Sequence, residues 1–123
     1  MVEDCLLLVA DDSEQVLKTS TQFLTSVGYS FLIARDGDQA LELFRATSQL
    51  RLCLLDVVMP GRTGLEVLEV IRVERPSLPV IIMSANDTFR DEALANGAAA
   101  FYRKPFGWDG LLETIQALVV NDP

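Results

Sequence analysis

Five short, predominantly apolar runs alternate with longer segments of helical pattern, and no other feature of the sequence constrains the fold as strongly. The runs are Cys5–Ala10, Tyr29–Ala34, Leu52–Leu55, Val80–Met83 and Ala99–Tyr102. A strand covered on both faces reads as a near-continuous apolar run, whereas a half-exposed strand alternates polar and apolar residues. Five such strands separated by helices are five βα units. Each crossover lays a helix over the sheet, so the expected architecture is a doubly wound α/β fold around a parallel sheet.

The intervening segments carry their own start and stop signals. In the first, Val16, Phe23 and Val27, with Leu17 and Leu24 beside them, recur at helical spacing, leave Lys18, Thr19 and Gln22 toward water, and end at Gly28. The second opens on Asp36, has Gln39 three residues later, and carries the stripe Ala40, Leu41, Phe44. Thr63-Gly64-Leu65-Glu66 fits a capping box directly before Leu68 and Ile71, and Pro76 and Pro79 close that connection. The fourth segment, Thr88 to Asn96, is short and weakly patterned, and Gly97 follows it as a stop. Leu111, Leu112, Ile115, Leu118 and Val119 give the fifth a firm apolar face. No repeat, low-complexity tract or linker interrupts residues 1–123, which reads as one domain.

Charge narrows the partners. Ten Lys+Arg against 18 Asp+Glu give a net charge of −8, and such a surface repels the polyanions that dominate nucleic-acid and anionic-membrane binding. Neither is expected as a direct partner. The chain contains no histidine, which removes the usual general base, the usual zinc ligand and any phosphohistidine carried on this chain. Its chemistry must run on carboxylates, hydroxyls and lysine. The longest apolar run, Cys5–Ala10, is far shorter than the roughly 20 residues of a membrane-spanning helix, and the start Met1-Val2-Glu3-Asp4 lacks the basic flank of a secretion signal. A cytoplasmic location is expected, with Cys5 and Cys53 as reduced core residues.

Ligands of an open parallel sheet bind beyond the carboxyl ends of its strands. The first run ends in Asp11-Asp12, the third in Asp56, the fourth reaches Ser84, and the fifth leads into Lys104-Pro105. Acids converging at one edge raise one another's pKa unless a cation is present. Oxygen-only ligands of low number suit Mg²⁺, with Mn²⁺ as the alternative, and zinc would lack a nitrogen ligand. Taken singly, each acid also fits an ordinary helix cap, and Asp12 or Ser13 could equally cap the first helix. The conjunction is more specific, because Lys104 is one of only two lysines and a compact cation beside carboxylates suits phosphate stabilisation.

Asp11-Asp12, then Asp56 followed by Met59-Pro60-Gly61 and Gly64, then Ser84-Ala85, then Lys104-Pro105-Phe106 resemble, in order and spacing, the receiver domain of two-component response regulators, including the single-domain chemotaxis type. The resemblance spans essentially the whole chain. It implies a flavodoxin-like (βα)5 sandwich with strand order 2-1-3-4-5. It implies that Asp56 accepts a phosphoryl group as aspartyl phosphate, and that Asp12, Asp56 and the backbone carbonyl of Val58 ligate Mg²⁺, with Asp11 acting mainly through a bound water. Lys104 would neutralise charge on the transferring group, while the Ser84 hydroxyl and the Ala85 N–H take a phosphoryl oxygen. Ser84 and Phe101 would form a switch, Phe101 being equally suited to a plain core role. Pro105 would be the family's cis proline or an ordinary loop residue. The phosphodonor would be a histidine kinase or histidine phosphotransfer protein, and a downstream protein partner would read the surface of the fourth helix, fifth strand and fifth helix. Trp108 would belong to that surface or staple the last helix. Self-association as a homodimer is a further implied property. Catalysis would be limited to Mg²⁺-dependent self-phosphorylation and slow self-dephosphorylation.

Departures from the family pattern matter. Val58 and Asn86 stand two residues after Asp56 and Ser84, positions that in the family tune attack of water on the aspartyl phosphate. Apolar Val58 is expected to shield the phosphoryl group and lengthen its lifetime. Val58 also counts against a haloacid-dehalogenase-like phosphohydrolase, which needs an acid two residues after its nucleophile. A receiver-like binding module that is never phosphorylated would not need Asp12, Asp56, Ser84 and Lys104 together. A flavodoxin-like cofactor site is weaker still, since no Gly-rich or Ser/Thr-rich loop follows the first strand. Met1 and the short tail suggest a single-domain regulator or an N-terminal fragment.

Overall fold

The computed structural model describes residues 5–120. Its strands are β1 (Leu6–Ala10), β2 (Ser30–Ala34), β3 (Leu50–Asp56), β4 (Val80–Ser84) and β5 (Ala100–Arg103), all parallel and in the order β2-β1-β3-β4-β5. The helices are α1 (Glu14–Ser26), α2 (Gly37–Ala46), α3 (Gly64–Glu74), α4 (Arg90–Ala95) and α5 (Trp108–Val120). This is the flavodoxin-like doubly wound arrangement, with the order and the apolar central strands that the sequence leads one to expect.

Side chains leave a strand on alternate faces, and that alternation divides the core in two. Leu8, Cys53, Leu55, Val80 and Ile82 pack with Ala40, Phe44, Leu68, Ile71 and Ala93, so α2, α3 and α4 cover one face. Leu7, Val9, Leu54, Ile81 and Met83 pack with Leu17, Leu24, Leu111 and Ile115, so α1 and α5 cover the other. Each fully buried leucine or isoleucine contributes about 1.5–3 kcal/mol, and truncating one such as Leu68 to alanine costs about 2–5 kcal/mol. Both cysteines are buried, and burial pushes the Cys53 thiol up to about 12, so it stays protonated in the core.

Several boundaries differ from the sequence reading. β3 starts at Leu50 rather than Leu52 because Arg51 interrupts the apolar run while remaining within the strand, its guanidinium donating to the Val119 carbonyl at 2.9 Å. The fourth helical segment divides into a 3₁₀ turn, Asp87–Phe89, and the short α4. Ala93 is the single buried residue of α4, and a helix with so little apolar face gives little periodicity to read. The expected capping box at Thr63 and Glu66 is present with both reciprocal hydrogen bonds, at 2.8 and 3.2 Å.

Candidate functional site

Register sets the site. Ala10 stands opposite Leu55, Asp56 opposite Met83, and Ser84 opposite Arg103, so Asp11, Asp56, Ser84 and Lys104 all emerge at the carboxyl edge of the sheet. Strand periodicity sends Asp56 to the face covered by α1 and α5, while Ser84 and Phe101 share the α4 face. The sequence grouped these residues, and the fold brings them together.

Asp11 is fully buried, and its backbone N–H donates to the Ala34 carbonyl at 3.1 Å. One carboxylate oxygen accepts the Ser13 N–H at 3.0 Å, and the other lies 2.6 Å from the Lys104 ammonium. Lys104 also reaches Asp56 Oδ1 at 3.3 Å. Its backbone N–H donates to the Ser84 carbonyl at 2.8 Å, and the Lys104–Pro105 peptide is cis. Ser13 is the N-cap of α1, its hydroxyl accepting the Val16 N–H at 3.3 Å. That role therefore does not occupy Asp12, which is exposed beside the pocket.

Carboxylate oxygens from Asp11, Asp12 and Asp56 lie within 4.8 Å of one another. Asp56 is 6% exposed, and its carboxyl is pushed up to about 6, first by burial and then by the charge of Asp11, with Lys104 opposing and Asp12 adding a smaller upward push. One lysine thus leaves the pocket short of positive charge. Oxygens shared by one Mg²⁺ at about 2.0–2.1 Å stand about 3–4 Å apart, so a small closing of these side chains fits the donor set to a hard divalent cation. The residues present suit Mg²⁺ in number, charge and chemistry.

Ser84 Oγ accepts the Asn86 N–H at 3.0 Å, and Asn86 Oδ1 accepts the Thr88 N–H at 2.9 Å, which shapes the exposed Ala85-Asn86 turn at the pocket rim. Val58 is 62% exposed. Phe101 is buried in the α4-side core, and the Arg90 guanidinium lies over its ring, 5.0 Å from the centroid. Tyr102 faces the other way and donates its hydroxyl to the Gly110 carbonyl at 3.2 Å. Trp108 is a staple: its ring lies 5.0 Å from that of Phe23 and 5.1 Å from that of Phe106, which ties α5 to α1.

Sequence reading missed what surrounds that staple. Val16, Thr19, Ala85, Lys104, Phe106 and Trp108 border a largely apolar groove of about 460 Å³ that opens beside the acidic pocket. Val16 and Thr19 are three residues apart on α1, so their common face was readable, but Thr19 had been expected to point to water. The Arg90–Phe101 contact had no sequence signal.

A doubly wound parallel sheet whose carboxyl edge gathers three carboxylates, one lysine and one buried serine defines a flavodoxin-like protein with an acidic pocket suited to a divalent cation. The chain belongs to the response regulator receiver domain family, whose match extends over residues 7–116. It is 36% identical over 115 residues to the response regulator RR06 of Streptococcus pneumoniae, covering 92% of this chain and 52% of that protein. The chain therefore spans about half the length of the curated relatives it matches. Among solved structures, the Francisella response regulator 1452 receiver domain superposes with a TM-score of 0.89 at 27% identity, covering 97% of this chain and 99% of that one. The response regulator TrrA of Thermotoga maritima, solved in complex with Mg²⁺-BeF, superposes with a TM-score of 0.86 at 30% identity, covering 93% and 98%. Among the described residues, no helix is long and apolar enough to cross a membrane.

Proposed function

We propose that this chain is the cytoplasmic phosphoacceptor of a two-component relay, with Asp56 as the residue phosphorylated. The observation that carries the reading is the placement of Asp56: nearly buried, 3.3 Å from Lys104, its oxygens clustered with those of Asp11 and Asp12. A carboxylate oxygen of Asp56 attacks phosphorus in line with the leaving group. The new O–P bond forms as the P–N bond of a phosphohistidine breaks, and the departing imidazole keeps the electron pair and takes a proton from solvent.

Asp56 must be ionised to attack, which burial and its acidic neighbours oppose. Mg²⁺ held by Asp12, Asp56 and the Val58 carbonyl, with Asp11 acting through water, would supply the positive charge that keeps Asp56 ionised and offsets charge on the phosphoryl oxygens. The Mg²⁺-BeF complex of TrrA supports that choice of ion. Lys104 moves from its carboxylate partners toward a phosphoryl oxygen, and the Ser84 hydroxyl with the Ala85 N–H takes another. Turning Ser84 inward releases the Asn86 N–H that it now accepts, which reshapes the turn before α4. Phe101 on the same face and Arg90 above it carry that change to the α4–β5–α5 surface, where a downstream protein or a second copy binds.

With no histidine in the chain, the donor must bring its own into the pocket. The apolar groove beside Lys104 is suited to an amphipathic helix of a histidine kinase or histidine phosphotransfer protein. The test is incubation with Mg²⁺ and a small phosphodonor such as acetyl phosphate, followed by intact mass. One added phosphoryl group, lost in Asp56→Ala and in EDTA, is expected; no adduct, or one that persists in Asp56→Ala, overturns the reading.

A further inference from the structure

The backbone after Asp56 is anchored at two points that the phosphoacceptor chemistry does not itself explain. Gly37, the first residue of α2, is buried, and its N–H donates to the Pro60 carbonyl at 3.2 Å. A Cβ on Gly37 would sit 1.9 Å from the carbonyl oxygen of Arg62 and 2.6 Å from its carbonyl carbon. Both are backbone atoms, so only glycine allows the loop to lie this close. Beside this contact, Arg62 Nε donates to Asp38 Oδ1 at 3.1 Å. The far end of the loop is fixed likewise: Gly64 N–H donates to the Val57 carbonyl at 2.9 Å, and a Cβ there would lie 2.1 Å from the carbonyl oxygen of Asp56.

Val58 lies between these anchors. The residue is 62% exposed, so its own packing does little to fix its backbone. A carboxylate can rotate to meet an ion, whereas a backbone carbonyl moves only with its loop. Mg²⁺ tolerates little departure from octahedral geometry, so an error in that loop is transmitted to the metal.

Resting on the Mg²⁺ site proposed above, we infer that Gly37 and the Asp38–Arg62 pair are positioning residues for the cation, acting through the carbonyl of Val58. Supports behind the ligands of a metal commonly change its affinity by about 10–100-fold when removed. The rigid Gly37 contact carries the larger share. The ion pair, with side chains 50% and 68% exposed, carries the smaller one because solvent screens it.

The experiment titrates Mg²⁺ into the whole chain by calorimetry and follows thermal unfolding in EDTA by circular dichroism. Gly37→Ala should raise the Kd for Mg²⁺ about tenfold, and Arg62→Gln about twofold. Arg45→Gln, which removes another ion pair of α2 (2.7 Å, to Glu74 at the C-terminal end of α3 and not to a residue of the loop), should leave it unchanged. Should Gly37→Ala not fold, Arg62→Gln and Asp38→Ala still decide the matter, since they alter exposed side chains only. A wild-type Kd in the folded variants overturns the inference even if their melting temperatures in EDTA fall, because that is a structural effect alone. Failure of the unmodified protein to bind Mg²⁺ removes the proposed metal site and this inference with it, a result distinct from normal binding that the variants do not disturb.

Discussion

Replacing Asp56 with asparagine should make the metal-free protein more stable at neutral pH. The carboxyl moves from an ordinary 3.8 to about 6 on folding, chiefly through burial and the charge of Asp11. Ionising it in the folded state therefore costs up to about 3 kcal/mol at pH 7.5. The pocket mouth is open at the exposed Asp12 and Val58, and solvent there screens part of that cost, which leaves about 1–2 kcal/mol for the neutral amide to recover. The sign follows from proton linkage. A carboxyl whose folded pKa is raised binds its proton more tightly when folded, so stability falls as pH climbs from about 4 to about 6 and is level above that. The advantage of Asp56→Asn should accordingly be largest above pH 6 and vanish near pH 4. Urea unfolding in EDTA at pH 7.5 and pH 4 measures it, and about 5 °C in melting temperature is the corresponding thermal shift. Saturating Mg²⁺ should reverse the order, since ligand at about 100 times its Kd adds about 2.7 kcal/mol to the form that binds it. A variant no more stable than the parent in EDTA at pH 7.5, or an advantage equal at both pH values, would refute the account of a charge-strained acidic pocket.

Lys104→Met removes the cation 2.6 Å from fully buried Asp11; it should destabilise the metal-free fold by about 3 kcal/mol in urea unfolding and slow labelling by acetyl phosphate about 100-fold in intact-mass time courses. Val58→Asn places a polar amide at an exposed position beside Asp56 and should shorten the phosphoryl half-life, measured by following the adduct after the donor is removed; an unchanged half-life would sink the shielding role. Val16→Asp puts a charge into the apolar groove and should slow transfer from a phosphohistidine protein about tenfold while leaving labelling by acetyl phosphate at the parent rate.

The acidic pocket was legible because it depends on order along the chain. In a parallel sheet every strand presents its carboxyl end to the same edge, so Asp11, Asp56, Ser84 and Lys104 could be grouped before any distance was known. The strand assignments held to within one residue wherever the apolar runs were unbroken, and slipped further at the start of β3, where the charged, half-buried Arg51 breaks the run and bonds to the Val119 carbonyl. The unreadable features are relations between separate elements. Trp108 looks like a lone aromatic in sequence, yet its neighbour Phe23 comes from α1, 85 positions earlier. Arg90 over Phe101 and Gly37 against Arg62 are likewise contacts between segments whose separation no local pattern encodes.

Formal charge explains why the pocket fits both an ion and a switch. Asp11, Asp12 and Asp56 carry three negative charges when ionised and Lys104 carries one positive, so the cluster stands at −2, and one divalent cation brings it to zero. The proposed phosphorylation would replace the single charge of Asp56 with about two on the phosphoryl oxygens, returning a net negative charge to a nearly buried position. Among the described residues, Lys104 is the cation that pairs with these carboxylates. What remains within the rim are neutral donors, the Ser84 hydroxyl and the Ala85 N–H, and Ser84 is now engaged by Asn86 at 3.0 Å. The uncompensated charge therefore favours a turn of Ser84 toward the phosphoryl group at the expense of the Asn86 contact. On the function proposed above, a charge imbalance at the sheet edge would thereby be converted into a conformational change at the start of α4, on the face where Phe101 and Arg90 stand.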